Sequence, residues 1–111
     1  MIRILAALVG LLAVGFGAFG AHAISDPQAK AWVTTGATYG LAHAIAALWA
    51  ADRHRWPGWL WAVGSLIFAG SLYALALGLP RWVAMAAPVG GGLMLLGWAV
   101  LLVQLVRQPR G

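Results

Sequence analysis

A chain of 111 residues that is 63% hydrophobic and 8% charged is excluded from being a soluble domain. A domain of this size buries only about 60–70% of its chain, and soluble domains carry about a quarter charged residues, so the solvent must be lipid. The net charge of +5 sits on residues scattered singly at the ends of apolar runs, with no basic face, so no nucleic-acid partner is expected; the lack of cysteine excludes disulfides, thiolate metal sites and cysteine nucleophiles.

The first apolar run, Ile4 to Ile24, has the ~20 residues needed to cross ~30 Å of hydrocarbon. Arg3, the apolar core and Ala21-His22-Ala23 also resemble a secretory signal with its cleavage site. The run outlasts the ~7–15-residue core of such signals, and it is expected to remain as a helix. Ser25-Asp26-Pro27 reads as the capped start of a second helix, with Pro in its first turn. A second apolar run spans Ala31 to Ala51, and the polar stretch Asp52 to Gly58 is a loop. The third run, Trp59 to Leu79, stops at Pro80-Arg81; the fourth lies between Trp82 and Val106, before the tail Arg107 to Gly111. The predicted helices are approximately 3–24, 28–51, 58–79 and 83–106, in one integral membrane domain over 1–111. The fold class is therefore all-α: a polytopic membrane four-helix bundle.

With four crossings, Arg3, Arg53, Arg55, Arg107 and Arg110 share one side of the bilayer, and Lys30 and Arg81 share the other with Asp26. The positive-inside bias of short loops then places both termini in the cytoplasm. Tryptophans agree with this frame: Trp32 and Trp82 fall at outer helix ends, and Trp49, Trp56, Trp59 and Trp61 gather at the inner interface. Trp98 alone lies well inside its helix.

Helices in lipid associate through close backbone approach and a few polar contacts. Gly36 and Gly40 form a GxxxG pair on helix two, and Gly70, Ala74 and Gly78 repeat the spacing on helix three. Helix one carries Gly10, Gly15, Gly17 and Gly20. Pro88, Gly90, Gly91 and Gly92 mark a helix break in the fourth run. One reading starts the membrane helix at Pro88 behind a short interfacial piece, with a kink and tight packing; the other frees backbone groups to line a cavity.

The four apolar runs hold no Asp, Glu, Lys or Arg, which weakens ion-coupled carriers built on a buried carboxylate. The candidate buried polar cluster is His43, Tyr39, Ser71 and Tyr73, with the hydroxyls as suitable partners for the imidazole. His22 lies near the outer end of helix one and is expected to be an interfacial polar residue. His22 and His43 would differ by on the order of 10–15 Å in depth, too far to ligate one haem or metal together. His54 falls in the polar loop and is expected to be solvated. No catalytic residue, metal site or cofactor is expected, and no nucleophile–base pair suggests an enzyme.

Gly17-Ala18-Phe19-Gly20-Ala21-His22-Ala23, then Trp32, Tyr39 and His43, Phe68-Ala69-Gly70-Ser71-Leu72-Tyr73, Pro88-Val89-Gly90-Gly91 and Gly97-Trp98 together resemble the motifs of domain of unknown function 423, a family that includes eukaryotic transmembrane protein 256. The resemblance spans nearly the whole chain. It implies a small four-helix protein of the bacterial inner membrane, or in eukaryotes a mitochondrial one, and it implies no activity. Gly40 stands where the family often has Gln, and Ala69 where Ser is frequent. The expected role is a helix-packing interaction protein that self-associates or serves a larger membrane complex, with the lipid bilayer as its surroundings. The alternative is a small channel or carrier for protons or a small solute, lined by the Tyr/His/Ser cluster.

Overall fold

The structure is a computed structural model describing residues 1–109; Arg110, counted above with the basic residues of one face, and Gly111 lie outside the described residues. The chain forms α1 (Ile2–His22), α2 (Pro27–Ala50), α3 (Arg55–Ala76), a short 3-10 helix (Arg81–Met85) and α4 (Ala86–Arg107). The protein is all-helical. Its extents are 53 × 24 × 21 Å, a rod whose long axis exceeds the ~30 Å thickness of bilayer hydrocarbon.

Three segments are long and apolar enough to cross a membrane: Ile2–His22, Arg55–Ala76 and Arg81–Arg107. Helix α2, of 24 residues, matches them in length. Its share of Gln28, Lys30, Thr34, Thr35, Thr38, Tyr39 and His43 makes it the least apolar of the four.

The helix ends follow local chemistry. Asp26 caps α2 by accepting a 2.8 Å hydrogen bond from the backbone N–H of Ala29, with Pro27 as the first helical residue. At the far end of α3, the N–H of Leu79 donates to the carbonyl of Ala74 (3.0 Å) and the N–H of Gly78 to that of Leu75 (3.1 Å). These bonds form a Schellman turn, and Gly78 supplies its left-handed residue at φ 96°. Gly78 is thus a helix terminator and not part of a packing face, and α3 stops at Ala76, three residues short of the expected 79.

Neighbouring helices run antiparallel in close register through small residues. Between α1 and α2, a methyl group added at Gly20 would stand 2.8 Å from a Val33 methyl, and one at Gly17 would stand 3.6 Å from Ala37. Between α2 and α3, Gly36 lies under the Tyr73 ring and Gly40 against Ala69. The tightest contact joins α3 to α4: a Cβ on Gly90 would lie 2.5 Å from the Phe68 nitrogen and 2.6 Å from the Gly64 carbonyl oxygen. Gly70 meets nothing within 4 Å, so the expected Gly70, Ala74, Gly78 surface does not mediate helix packing. The faces of α3 that do pack carry Ala69 and Tyr73 toward α2, and Gly64 and Trp61 toward α4.

Of the two readings of Pro88, Gly90, Gly91 and Gly92, the structure fits the first, a helix that starts near Pro88 behind a short separate piece and packs tightly; the break that would free backbone groups is corrected. Helix α4 runs unbroken through them. Pro88 is its third residue, where a helical N–H has no intrahelical acceptor, so proline costs no hydrogen bond. The disruption lies earlier, where Arg81–Met85 form the 3-10 segment. Helix α3 is central: α1 and α2 pack on it and on each other, and α4 packs on α3.

Candidate functional site

His43 sits on α2 with 8% of its surface exposed, and both ring nitrogens are engaged. Nδ1 lies 2.8 Å from the carbonyl oxygen of Tyr39, one turn earlier. Nε2 lies 3.0 Å from Nε1 of Trp98, which comes across from α4. A carbonyl can only accept and an indole N–H can only donate, so the imidazole carries its proton on Nδ1 and accepts at Nε2. The neutral ring is thereby fully used, and neither nitrogen is left for a metal or a solute.

Trp61 completes the centre. It is fully buried, its N–H donates to the Met94 carbonyl (3.2 Å), and its ring lies 4.4 Å from that of Trp98 and 6.4 Å from that of His43. The position expected for Trp61, in an interfacial belt, is therefore wrong. Gly97 makes room for it: a Cβ there would sit 2.6 Å from the indole nitrogen. An indole inside a bundle needs an acceptor for its N–H, and a helix carbonyl supplies one.

The expected polar cluster is not assembled around His43. Tyr39 contributes its backbone carbonyl to His43 and its ring lies 6.4 Å from the imidazole at 20°, but the residue is 49% exposed, its ring packs edge-on to Phe68 and its hydroxyl makes no hydrogen bond to His43. The Ser71 hydroxyl donates to the Phe68 carbonyl of its own helix at 2.8 Å. Tyr73 points away, stacked on Phe16 of α1 at 4.2 Å and 6°, with its buried hydroxyl making no hydrogen bond. These residues differ because Ser71 can bond back along its own helix, while Tyr73 fills the notch left by Gly36 and Gly40. His22 is exposed in the last turn of α1. Among the described residues there is no group of three or more His, Asp or Glu that could hold a metal ion.

The partner that sequence reasoning missed is Trp98. The available signal was its depth: a lone tryptophan inside a membrane helix carries a donor that lipid cannot satisfy. Beside the centre lies a cleft of about 510 Å³ between α2 and α4, floored by Phe68 and Met94, with Thr35, Tyr39, Gly91 and Leu95 around its rim.

Residues 16–91 match the family described as "Protein of unknown function (DUF423)". The chain belongs to this family. The UPF0382 inner membrane protein YgdD of Escherichia coli is 38% identical over 96% of this chain and 90% of its own length. A UPF0382 membrane protein of Schizosaccharomyces pombe is 40% identical over 88% of this chain and 95% of its own. One from Haemophilus influenzae is 39% identical over 87% and 86%. No solved structure matches. With its apolar helices and these relatives, the protein is a multi-pass inner-membrane protein. The family match takes in His22, His43 and Tyr73 and ends before Trp98.

Proposed function

We propose that this member of the family is a non-enzymatic interaction protein of the membrane, crossing it four times with both termini cytoplasmic. It associates with itself or with a larger membrane complex through the outward face of α2. The observation that carries this reading is the exposure of Thr34, Thr35, Thr38 and Tyr39 on a helix that lies at hydrocarbon depth in the four-crossing arrangement. Hydroxyls facing lipid gain from a partner helix that bonds them, and small neighbours such as Ala42 permit its close approach. The basic ends support the orientation: Arg3, Arg53, Arg55 and Arg107 lie at one end of the rod and Lys30 and Arg81 at the other.

Because the chain has no cysteine, single replacements report cleanly. Thr38→Cys should form a crosslinked adduct in native membranes, while Ile4→Cys, on the exposed face of α1, should not. A strictly monomeric chain in lipid that co-purifies with nothing would sink this reading. For orientation, Gln28→Cys should react with an impermeant maleimide from outside the cell, and Gln108→Cys only after permeabilisation.

The cleft between α2 and α4 favours a second reading, a carrier or channel for protons or a small solute. Proteoliposome flux that is lost on replacing His43 and Tyr39 by apolar residues would support it; flux that survives would remove it.

A further inference from the structure

At the end of the rod that holds both termini, a cleft of about 910 Å³ opens between the α2–α3 loop and the end of α4. Its lining includes Arg53, Arg55 and Arg107, and no carboxylate borders it among the described residues. The whole chain has two acidic side chains. Asp26 caps α2 at the opposite end, and Asp52 is engaged by Arg3. Three arginines therefore line one space whose other lining side chains supply no counter-charge.

The frame of this cleft is built. The Nδ1–H of His54 donates to Oε1 of Gln104 at 2.9 Å, tying the loop to α4, and Trp49 stacks on the His54 ring at 5.5 Å and 25°. The expectation that His54 is merely solvated is thus corrected. With its oxygen so used, Gln104 keeps its amide N–H groups as donors. Backbone dipoles give an anion no net attraction, since the N-terminus of α3 is outweighed by the C-termini of α2 and α4, which also border the cleft. The charge selectivity rests on the arginines. Trp49, Val103 and Leu105, each about half exposed, add an apolar wall to the cleft beside the arginines.

We infer that this cleft binds the phosphate of an anionic phospholipid, with the guanidinium groups of Arg53, Arg55 and Arg107 on the headgroup and an acyl chain along Trp49, Val103 and Leu105. Guanidinium forks match phosphate oxygens, and basic pockets between membrane helices suit such headgroups. A zwitterionic lipid would bring its own cation against the three arginines, and a free phosphate would gain nothing from the apolar wall.

The test uses the full chain purified in an uncharged detergent, with binding measured by titration calorimetry. The probes are short-chain phosphatidylglycerol, phosphatidylcholine with the same chains, and inorganic phosphate. Two double variants remove equal charge from opposite ends: Arg53→Gln with Arg107→Gln, and Lys30→Gln with Arg81→Gln. Phosphatidylglycerol should bind the wild type and the Lys30/Arg81 variant alike, and should lose about tenfold or more in affinity to the Arg53/Arg107 variant. Lysine at both positions should bind more tightly than glutamine and more weakly than arginine, since it keeps the charge and loses the fork; lysine no better than glutamine would overturn the charge-based site. If the double variant does not fold, the single Arg53→Gln and Arg107→Gln proteins should each bind at least about threefold more weakly. Equal losses at both ends would reduce the effect to net charge and overturn the site. Equal binding of phosphatidylcholine would overturn the anion preference, and equal binding of inorganic phosphate would overturn the lipid assignment.

Discussion

Replacing Gly90 by alanine should weaken the protein, although alanine is the better helix former. The new Cβ would lie 2.5 Å from the Phe68 nitrogen, 2.6 Å from the Gly64 oxygen and 2.9 Å from the Phe68 Cα. All three are backbone atoms of α3 and cannot swing aside. Ordinary contact begins at 3.4 Å, so α3 and α4 must part by about 0.9 Å. Overpacking of this kind costs about 1–3 kcal/mol. The helix propensity of alanine returns about 1 kcal/mol, leaving a net loss of up to about 2 kcal/mol. Gly92, two residues on in the same helix, meets nothing within 4 Å, so Gly92→Ala keeps the propensity gain without the clash. The two variants should differ by the overpacking term alone, about 1–3 kcal/mol, with the Gly92 variant the more stable. Unfolding in detergent followed by far-ultraviolet circular dichroism measures both. If the Gly90 variant is as stable as the Gly92 variant, the close approach of α3 and α4 is not what holds them together.

Further predictions concern the polar groups between helices. His43→Leu and Trp98→Phe should each destabilise by about 1–3 kcal/mol, because each leaves the other's nitrogen without its partner. The double variant should cost clearly less than their sum, and strict additivity in the unfolding cycle would mean that the two rings are not coupled. Tyr73→Phe removes a buried hydroxyl that makes no hydrogen bond, so it should be neutral or gain up to about 1 kcal/mol; a clear drop in midpoint would mean that the hydroxyl has a partner. Asp52→Asn breaks a largely exposed pair with Arg3 and should cost less than about 1 kcal/mol, shrinking further in high salt. A larger, salt-independent loss would contradict that assignment.

Much of this protein is legible without coordinates, because the constraint is the solvent. Apolar runs of about 20 residues and Asp26-Pro27 before a helix carry local or bilayer-scale information, and local rules suffice to read them. The capped start of α2 is such a case. Gly78 shows the limit. Four-residue spacing counts it with Gly70 and Ala74, yet the same glycine is a far better helix terminator than packer, and two backbone bonds close the turn around it.

Which glycine meets which helix is a property of register between distant segments. Gly90 looks like a helix breaker in sequence because its propensity is poor; the tertiary structure turns that into the closest helix contact of the molecule, since only a residue without Cβ lets backbone meet backbone. The same holds for His43. Its depth and its need for partners follow from sequence, but the nearest hydroxyls on a helical wheel are spent elsewhere or point away. Its acceptor nitrogen is met instead by an indole 55 residues downstream, brought within reach only because α2 and α4 both flank α3. Composition alone determined that the chain lives in lipid, since no other solvent accommodates it. Tertiary packing decided which buried polar groups satisfy one another, because hydrogen bonds depend on positions within a few tenths of an ångström and sequence spacing sets only the face of a helix.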